Sequence, residues 1–339
     1  MFTWVLAMLQ EEGLVDGTTL GIDATTLEAN AAMRSIRRRD TGESYREFLM
    51  RLAKASGIET PTGDDLRRID RQRGKGKASN EDWEHPHDPD ARIAKMKDGR
   101  THMAHKVEHA VDLETEAVVA VCAHPADEGD TSTVYGTLAE AAQNLEEVRE
   151  GAEPEAGEES RAEPRVEEAV LDRGYHSDDV VRDLSELGLR TYVSEPNRAR
   201  RRWKGKEIER DAVHANRRRT RGRRGRRLQR SRTEVVERCF AHSYETGGMR
   251  RVHLRGRANI QKRLLIHLAG RNLSLLMRRV LGSGTPRGLR KELVGPLAAG
   301  NGALLGPVDA ITALLLDFLP IEPAKAYSWS GPTSTALLN

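Results

Sequence analysis

Three acids stand where their type and position could hold a divalent cation. Asp23 closes the short apolar run Thr18–Ile22, and Asp172 follows the apolar run Glu168–Leu171. Glu237 sits within Val235-Val-Glu-Arg-Cys-Phe240, on an expected helix. An acid at the end of a buried strand is held rigidly by the sheet while its head reaches a cleft. Two such acids on neighbouring strands can share an ion, and hard carboxylate oxygens suit Mg²⁺. Two ions about 3.5–4 Å apart can activate an attacking oxygen and stabilise a leaving one in phosphoryl displacement. Spacing alone leaves the alternative open that these acids are ordinary caps or surface groups. Glu245 competes with Glu237, lying about two helical turns further on, but Thr246-Gly-Gly248 is expected to break the helix there and favours Glu237. Asp130 either supports such a site electrostatically or caps a helix at Thr133. Tyr175 and His176, directly after Asp172, could contact a phosphate or the attacking water.

A second chemical signal is charge. The 339 residues carry a net charge of +3, yet Asn197–Arg232 holds 17 Lys/Arg against Glu207, Glu209 and Asp211, leaving 38 basic and 49 acidic residues elsewhere. A segment this basic is expected to stay an extended loop unless a polyanion neutralises it, and its arginine forks suit phosphate. Arg217, Arg218, Arg219, Arg221, Arg223 and Arg224 are the candidate DNA contacts. Trp203, in the same segment, either stacks on an unpaired base or anchors the loop.

Composition excludes several classes. With 37% hydrophobic, 4% aromatic and 32% charged residues, the chain reads as ordered cores separated by polar segments. No stretch approaches the ~18 apolar residues of a membrane span; the best candidate, Gly302–Pro320, contains Asp309 and Asp317. Met1–Gln10 is apolar but runs into Glu11 and Glu12 without a basic start or cleavage site. A soluble, cytoplasmic protein is expected. Cys122 and Cys239 make no disulfide framework and have no zinc spacing, so both read as buried apolar residues. His102, His105 and His109, like His85 and His87, read as structural or surface groups. There is no phosphate-binding Gly-x-x-x-x-Gly-Lys loop; Gly74–Lys77 is a basic turn.

The order of elements that position these residues fits a mixed sheet with helices on both faces. Helical spacing is read over Thr26–Arg38, Tyr45–Ala55, Thr133–Val148, Ser177–Leu187 (Ser177 as N-cap, Gly188 as stop), Thr233–His242 and Ala258–Leu281. His102–His109 and Ala117–Cys122 read as a hairpin turning at Asp112–Glu116, and Leu189–Ser194 as a further strand. The expected organisation begins with 1–56, the start of a catalytic core carrying Asp23. A polar loop insertion over 57–100, with a short helix near Asp64–Arg71, precedes a hairpin and helix over 101–146. An acidic disordered insertion fills 147–167, and 168–196 forms strand, helix and strand carrying Asp172. The basic segment 197–232, helices over 233–282 carrying Glu237, and a variable tail over 283–339 complete the chain.

The residues around these acids resemble the bacterial insertion-sequence DDE transposases, whose core is RNase H-like. The matching segments are Gly21-Ile-Asp-Ala-Thr-Thr-Leu-Glu-Ala-Asn30, Val170-Leu-Asp-Arg-Gly-Tyr-His-Ser177 and Val235-Val-Glu-Arg-Cys-Phe-Ala-His-Ser-Tyr-Glu-Thr-Gly-Gly-Met-Arg-Arg251, continuing into Leu254-Arg-Gly-Arg-Ala-Asn259. Asp88–Arg100 running into His109, and Pro125–Asp130, look like the same family, so the resemblance covers Leu20–Val280 in order. It implies an α/β RNase H-like mixed sheet flanked by helices. It also implies that Asp23, Asp172 and Glu237 form a triad holding Mg²⁺ or Mn²⁺ as two ions, and that Arg238 and the Arg250/Arg251 pair lie near DNA phosphates. The expected activity is cleavage and strand transfer on element ends and target DNA, by a homodimer assembled on DNA in the nucleoid. Such transposases carry a helical DNA-binding region before the first catalytic aspartate, whereas 22 residues precede Asp23 here, so that region is expected to be missing. The alternatives are a non-catalytic DNA-binding remnant and a hydrolytic nuclease of the RNase H-like class.

Overall fold

The computed structural model describes residues 1–73, 78–151, 165–197, 201–285 and 288. In chain order its elements are α1 (Phe2–Glu11), β1 (Thr19–Glu28), a 3₁₀ turn (Met33–Ser35), β2 (Arg37–Arg38), α2 (Tyr45–Ala55), α3 (Gly63–Gln72), β3 (Trp83–Glu84), β4 (Arg92–Lys95), β5 (Thr101–Asp112), β6 (Val118–Pro125), α4 (Asp130–Gly151), β7 (Glu168–Leu171), a second 3₁₀ turn (Arg173–Tyr175), α5 (Asp178–Glu186), β8 (Arg190–Val193), α6 (Glu207–Arg221), α7 (Arg223–Glu245) and α8 (Arg257–Leu281). The chain divides into two compact units, Met1–Leu276 and Met277–Asn339. The first unit carries every side chain discussed below.

A mixed six-stranded sheet forms its centre. β1 pairs antiparallel with β5 on one side, from Leu20 opposite Asp112 to Glu28 opposite Ala104, and parallel with β7 on the other, from Thr19 beside Glu168 to Ile22 beside Leu171. β7 continues parallel to β8, while β6 and β4 each pair antiparallel with β5. The apolar runs expected as strands therefore lie side by side. Leu20, Ile22, Ala169 and Leu171 are all fully buried, as strands covered on both faces must be.

Alternation along β1 sorts its side chains between two faces. The Gly21, Asp23, Thr25 and Leu27 face meets α7 and, with Val107, Val111 and Val170, joins a core completed by Val235, Val236 and Phe240 of α7 and Ile260, Leu264 and Leu268 of α8. The expected helical stripe of α8 is thus a core face. α4 covers the opposite side of β5 and β6.

The β6 and β8 edges each receive amide side chains from helices. Asn272 of α8 accepts from the Val118 N–H and donates to its carbonyl, and Gln261 does the same for the Ala123 N–H and Val121 carbonyl. At the β8 edge, Asn216 of α6 accepts from the Val193 N–H and donates to the Val193 carbonyl, and Arg219 donates to the Thr191 carbonyl. Backbone groups satisfied this way are not open to another strand.

Three sequence expectations are corrected. Thr26–Arg38 is not helical: the ladder to β5 carries β1 on to Glu28, and a 3₁₀ turn follows. Thr25, Thr26 and Leu27 fit either period, and the cross-strand partners decide. Asp23 consequently lies inside β1 rather than at its end, although its parallel partner strand ends beside it. The 57–100 insertion is more than a loop. Thr62 and Asp65 form a capping box that starts α3, and Trp83, Phe48, Leu49 and Leu66 build a small core of their own. The basic segment is not an extended loop either; α6 and α7 occupy most of it. Its arginines are good helix formers, Ala212, Val213 and Leu228 give it a buried stripe, and protein acids neutralise several of its charges. Most of the acidic 147–167 insertion and of the 283–339 tail lies outside the described residues.

Candidate active site

Asp23 and Asp172 follow the last paired residues of the β1–β7 ladder, Ile22 and Leu171, so the parallel register sets them side by side. Between them reaches Arg232 of α7. Its Nη1 donates to Asp23 Oδ2 at 2.6 Å, and its Nη2 lies 3.9 Å from Asp172 Oδ1. The Arg232 side chain is 8% exposed, against 22% for Asp23 and 52% for Asp172. Asp23 Oδ1 also accepts from the Ala24 N–H at 2.8 Å. Burial raises the Asp23 carboxyl above the usual carboxylate range, Arg232 opposes it, and the Asp172 charge adds to the rise.

α7 is pinned across the strand ends. Gln229 donates to the carbonyls of Leu171 (3.1 Å) and Tyr192 (2.6 Å), where β7 and β8 finish. Gly21 makes room for the Arg232 stem: a Cβ there would stand 2.5 Å from Leu113 Cδ2 and 3.2 Å from Arg232 Cγ.

A buried polar network on the opposite face ties down the turn behind Asp172. Glu108 of β5 is fully buried and accepts from the hydroxyls of Thr133, Thr137 (2.6 Å) and Tyr175 (3.2 Å). Lys106 lies 3.1 Å from Glu108 and 2.6 Å from Asp130, and donates to Thr133 at 2.7 Å. Tyr175 ends the 3₁₀ turn that Asp172 caps by accepting from the Arg173 N–H. Burial and nearby carboxylates push the Tyr175 hydroxyl well above its usual range, so it stays a donor. A Cβ at Gly174 would collide with the Asp130 carboxylate, which would have to shift. Asp130 is therefore the first residue of α4 and a partner of Lys106, not a loop cap preceding Thr133. Tyr175 is committed to Glu108 and His176 is buried; neither presents itself to a phosphate as the sequence suggested.

Glu237 lies little more than a turn beyond Arg232, exposed on α7 and without an ion-pair partner among the described residues. Glu245 is the last residue of α7, where the expected break falls. The structure thus brings Asp23 and Asp172 together and leaves Glu237 outside their contact. No group of three or more His, Cys, Asp or Glu placed to hold a metal ion occurs among the described residues.

The candidate DNA arginines divide in two. Arg217 grips Glu195 with both fork nitrogens, Arg219 holds Thr191, Arg224 pairs with Glu168 at 2.6 Å, and Arg238 bridges Glu116 and Glu234. Arg218, Arg221 and Arg223 are exposed, with no ion-pair partner among the described residues. Arg250 stacks over the Tyr244 ring, and Arg251 lies 3.7 Å from Glu28. Trp203 meets His214 of α6 edge-on at 6.0 Å, which favours anchoring.

Sequence reasoning missed Arg232 as an individual residue, together with Gln229, Lys106 and Glu108; the exposed Arg226, Arg227 and Arg230 of the basic segment line a groove on α7. One signal for the network was available: Lys106 and Glu108 flank Val107 with strand alternation, and Thr133 and Thr137 share one helix face. Among the histidines, His105 is buried against Asp88 at 3.2 Å, and His109 lies 3.2 Å from the Cys239 thiol; both are structural. Cys239 is buried, while Cys122 is only half-buried. No helix among the described residues is long and apolar enough to cross a membrane. No family model, no curated protein and no solved structure matches the chain.

Proposed function

We propose that the protein is a metal-dependent DNA transposase that cuts a phosphodiester at an element end, frees a 3′-hydroxyl and joins it to target DNA. The observation that carries this reading is the adjacency of Asp23 and Asp172 on parallel neighbouring strands, in the segments that resemble the insertion-sequence transposases. A sheet whose first strand is central, antiparallel to β5 and parallel to β7, supports the RNase H-like core that the resemblance implies.

Two carboxylates are the hard oxygen donors that Mg²⁺ or Mn²⁺ takes, and both lie against the Arg232 guanidinium, the charge a bound cation would have to compete with. Asp23 and Asp172 would hold the cofactor, and Glu237 would complete the set. Bound there, two such ions would supply Lewis acidity toward the phosphate and a more acidic attacking water. Gln229 fixes α7 against the strand ends, and the Glu108–Tyr175 bond fixes the turn that carries Asp172. Arg232 keeps the pair compact, its guanidinium standing where a cation would bind. The exposed arginines of α6 and α7 track DNA phosphates, and the active assembly is a homodimer on DNA.

The test is metal-dependent nicking and strand transfer on a labelled duplex. Asp23→Asn is expected to lose cleavage while retaining DNA binding, and normal cleavage by that variant refutes the assignment. Loss of cleavage in Glu237→Gln places Glu237 in the site. A second reading, a non-catalytic DNA-binding remnant, is favoured by two observations: Arg232 offsets part of the charge of the carboxylate pair, and Glu237 stands apart. It predicts salt-sensitive DNA binding without cleavage by the wild type. Cutting without joining would indicate a hydrolytic nuclease.

A further inference from the structure

Beyond the C-terminal end of β1, a cavity of about 460 Å³ opens between the turn that follows β1, the His85–His87 corner of the insertion and the segment after α7. Arg34, Arg37, Arg251, Arg255, His85 and His87 line it, and no carboxylate does. The acids that approach these arginines do so weakly. Glu47 is 3.4 Å from Arg37, both largely exposed, and Glu28 is 3.7 Å from Arg251. Arg255 spends its Nε on the Asn30 carbonyl at 3.2 Å, and Arg34 has no ion-pair partner among the described residues. The buried His85 accepts from the His87 N–H through Nδ1 at 3.3 Å, so its neutral ring carries its proton on Nε2.

Four guanidinium groups around one concave surface repel each other, and an anion relieves that repulsion. The sign excludes a metal ion. A carboxylate offers two oxygens, whereas phosphate offers more acceptors and the geometry that arginine forks match. The wall of the cavity is hydrogen-bonded to the strand that bears Asp23: the Glu28 N–H donates to the Arg250 carbonyl at 3.2 Å, and the Val252 N–H donates to the Glu28 carbonyl at 2.8 Å. From Asp23 to Glu28 along β1 is roughly 16 Å at about 3.3 Å per residue.

We propose that this cavity holds a backbone phosphate of bound DNA, away from the bond positioned at Asp23 and Asp172. The proposal rests on the DNA reading above and adds a contact built by the insertion, outside the basic helices.

The test measures log K against log salt for a labelled random-sequence duplex with the full chain. The Arg34→Ala/Arg255→Ala variant is expected to give a slope shallower by about 0.9, the counterion equivalent of one phosphate. The Arg34→Lys/Arg255→Lys variant is expected to keep the slope and bind more weakly, because lysine retains the charge but not the fork. An unchanged slope in the alanine variant, or no DNA binding by the wild type, overturns the proposal. A parallel melting series with inorganic phosphate separates the sources of the anion: stabilisation that needs Arg34 and Arg255, with an unchanged DNA slope, assigns the cavity to free phosphate and overturns the DNA assignment. Failure of the transposase reading looks different, because wild type that never cleaves leaves the slope comparison intact.

Discussion

Replacing Arg232 by methionine removes the guanidinium between Asp23 and Asp172 while keeping most of the buried stem. The guanidinium is 2.6 Å from Asp23, an attraction of about 6 kcal/mol at an effective dielectric of about 20. Desolvation of the arginine takes back much of this, and truncating one member of a buried pair costs about 3 kcal/mol in net stability. The loss is read from urea midpoints at neutral pH. Burial then acts on Asp23 unopposed, so its carboxyl rises further above the usual range. A carboxyl raised in the folded state is destabilising when ionised, so the gap to wild type narrows as pH falls below the variant's Asp23 pKa. The same logic applies to added cation: millimolar Mg²⁺ is expected to raise the melting temperature of Arg232→Met more than that of wild type. A variant as stable as wild type at every pH, or equal Mg²⁺ shifts in the two proteins, refutes the view that Arg232 and the two aspartates form one electrostatic unit.

Two further outcomes are expected. Lys106→Met leaves Glu108 and Asp130 without their shared cation and is expected to cost about 3–5 kcal/mol, with slower cleavage at unchanged DNA affinity; unaltered urea stability would contradict the network. Burial holds the His109 imidazole down at about 3 from its ordinary 6.5, so the unfolded chain takes up a proton there that the folded chain refuses. That contribution is fully present above 6.5 and is lost as pH falls towards 3. His109→Leu is therefore expected to lose less stability between pH 6 and 4, by about 1.4 kcal/mol per pH unit, and a urea midpoint that falls as steeply as wild type would count against it.

Local pattern determined much of this protein. Ser44, Thr62 and Ser177 cap α2, α3 and α5 through side-chain bonds to nearby N–H groups, and such signals are complete within a few residues. β7 and the hairpin of β5 and β6 follow from apolar runs and a turn, and α8 from its stripe of Ile260, Leu264 and Leu268. The adjacency of Asp23 and Asp172 was half legible. Each apolar run ending in an acid could be read, but that the two strands are parallel neighbours is a fact of sheet order. The tertiary structure alone decided that Thr25–Glu28 is strand, because the partner residues lie on β5, far along the chain. It alone placed Arg232 between two acids, Asn216 and Asn272 on the sheet edges, and Lys106 and Glu108 under α4 rather than in water. The physical reason is common to all of these. Helix caps and apolar periodicity act over a turn or a strand, whereas a charge or an amide finds its partner only when the folded sheet brings distant segments within hydrogen-bond reach, and there the cost of burying it unpaired selects the contact.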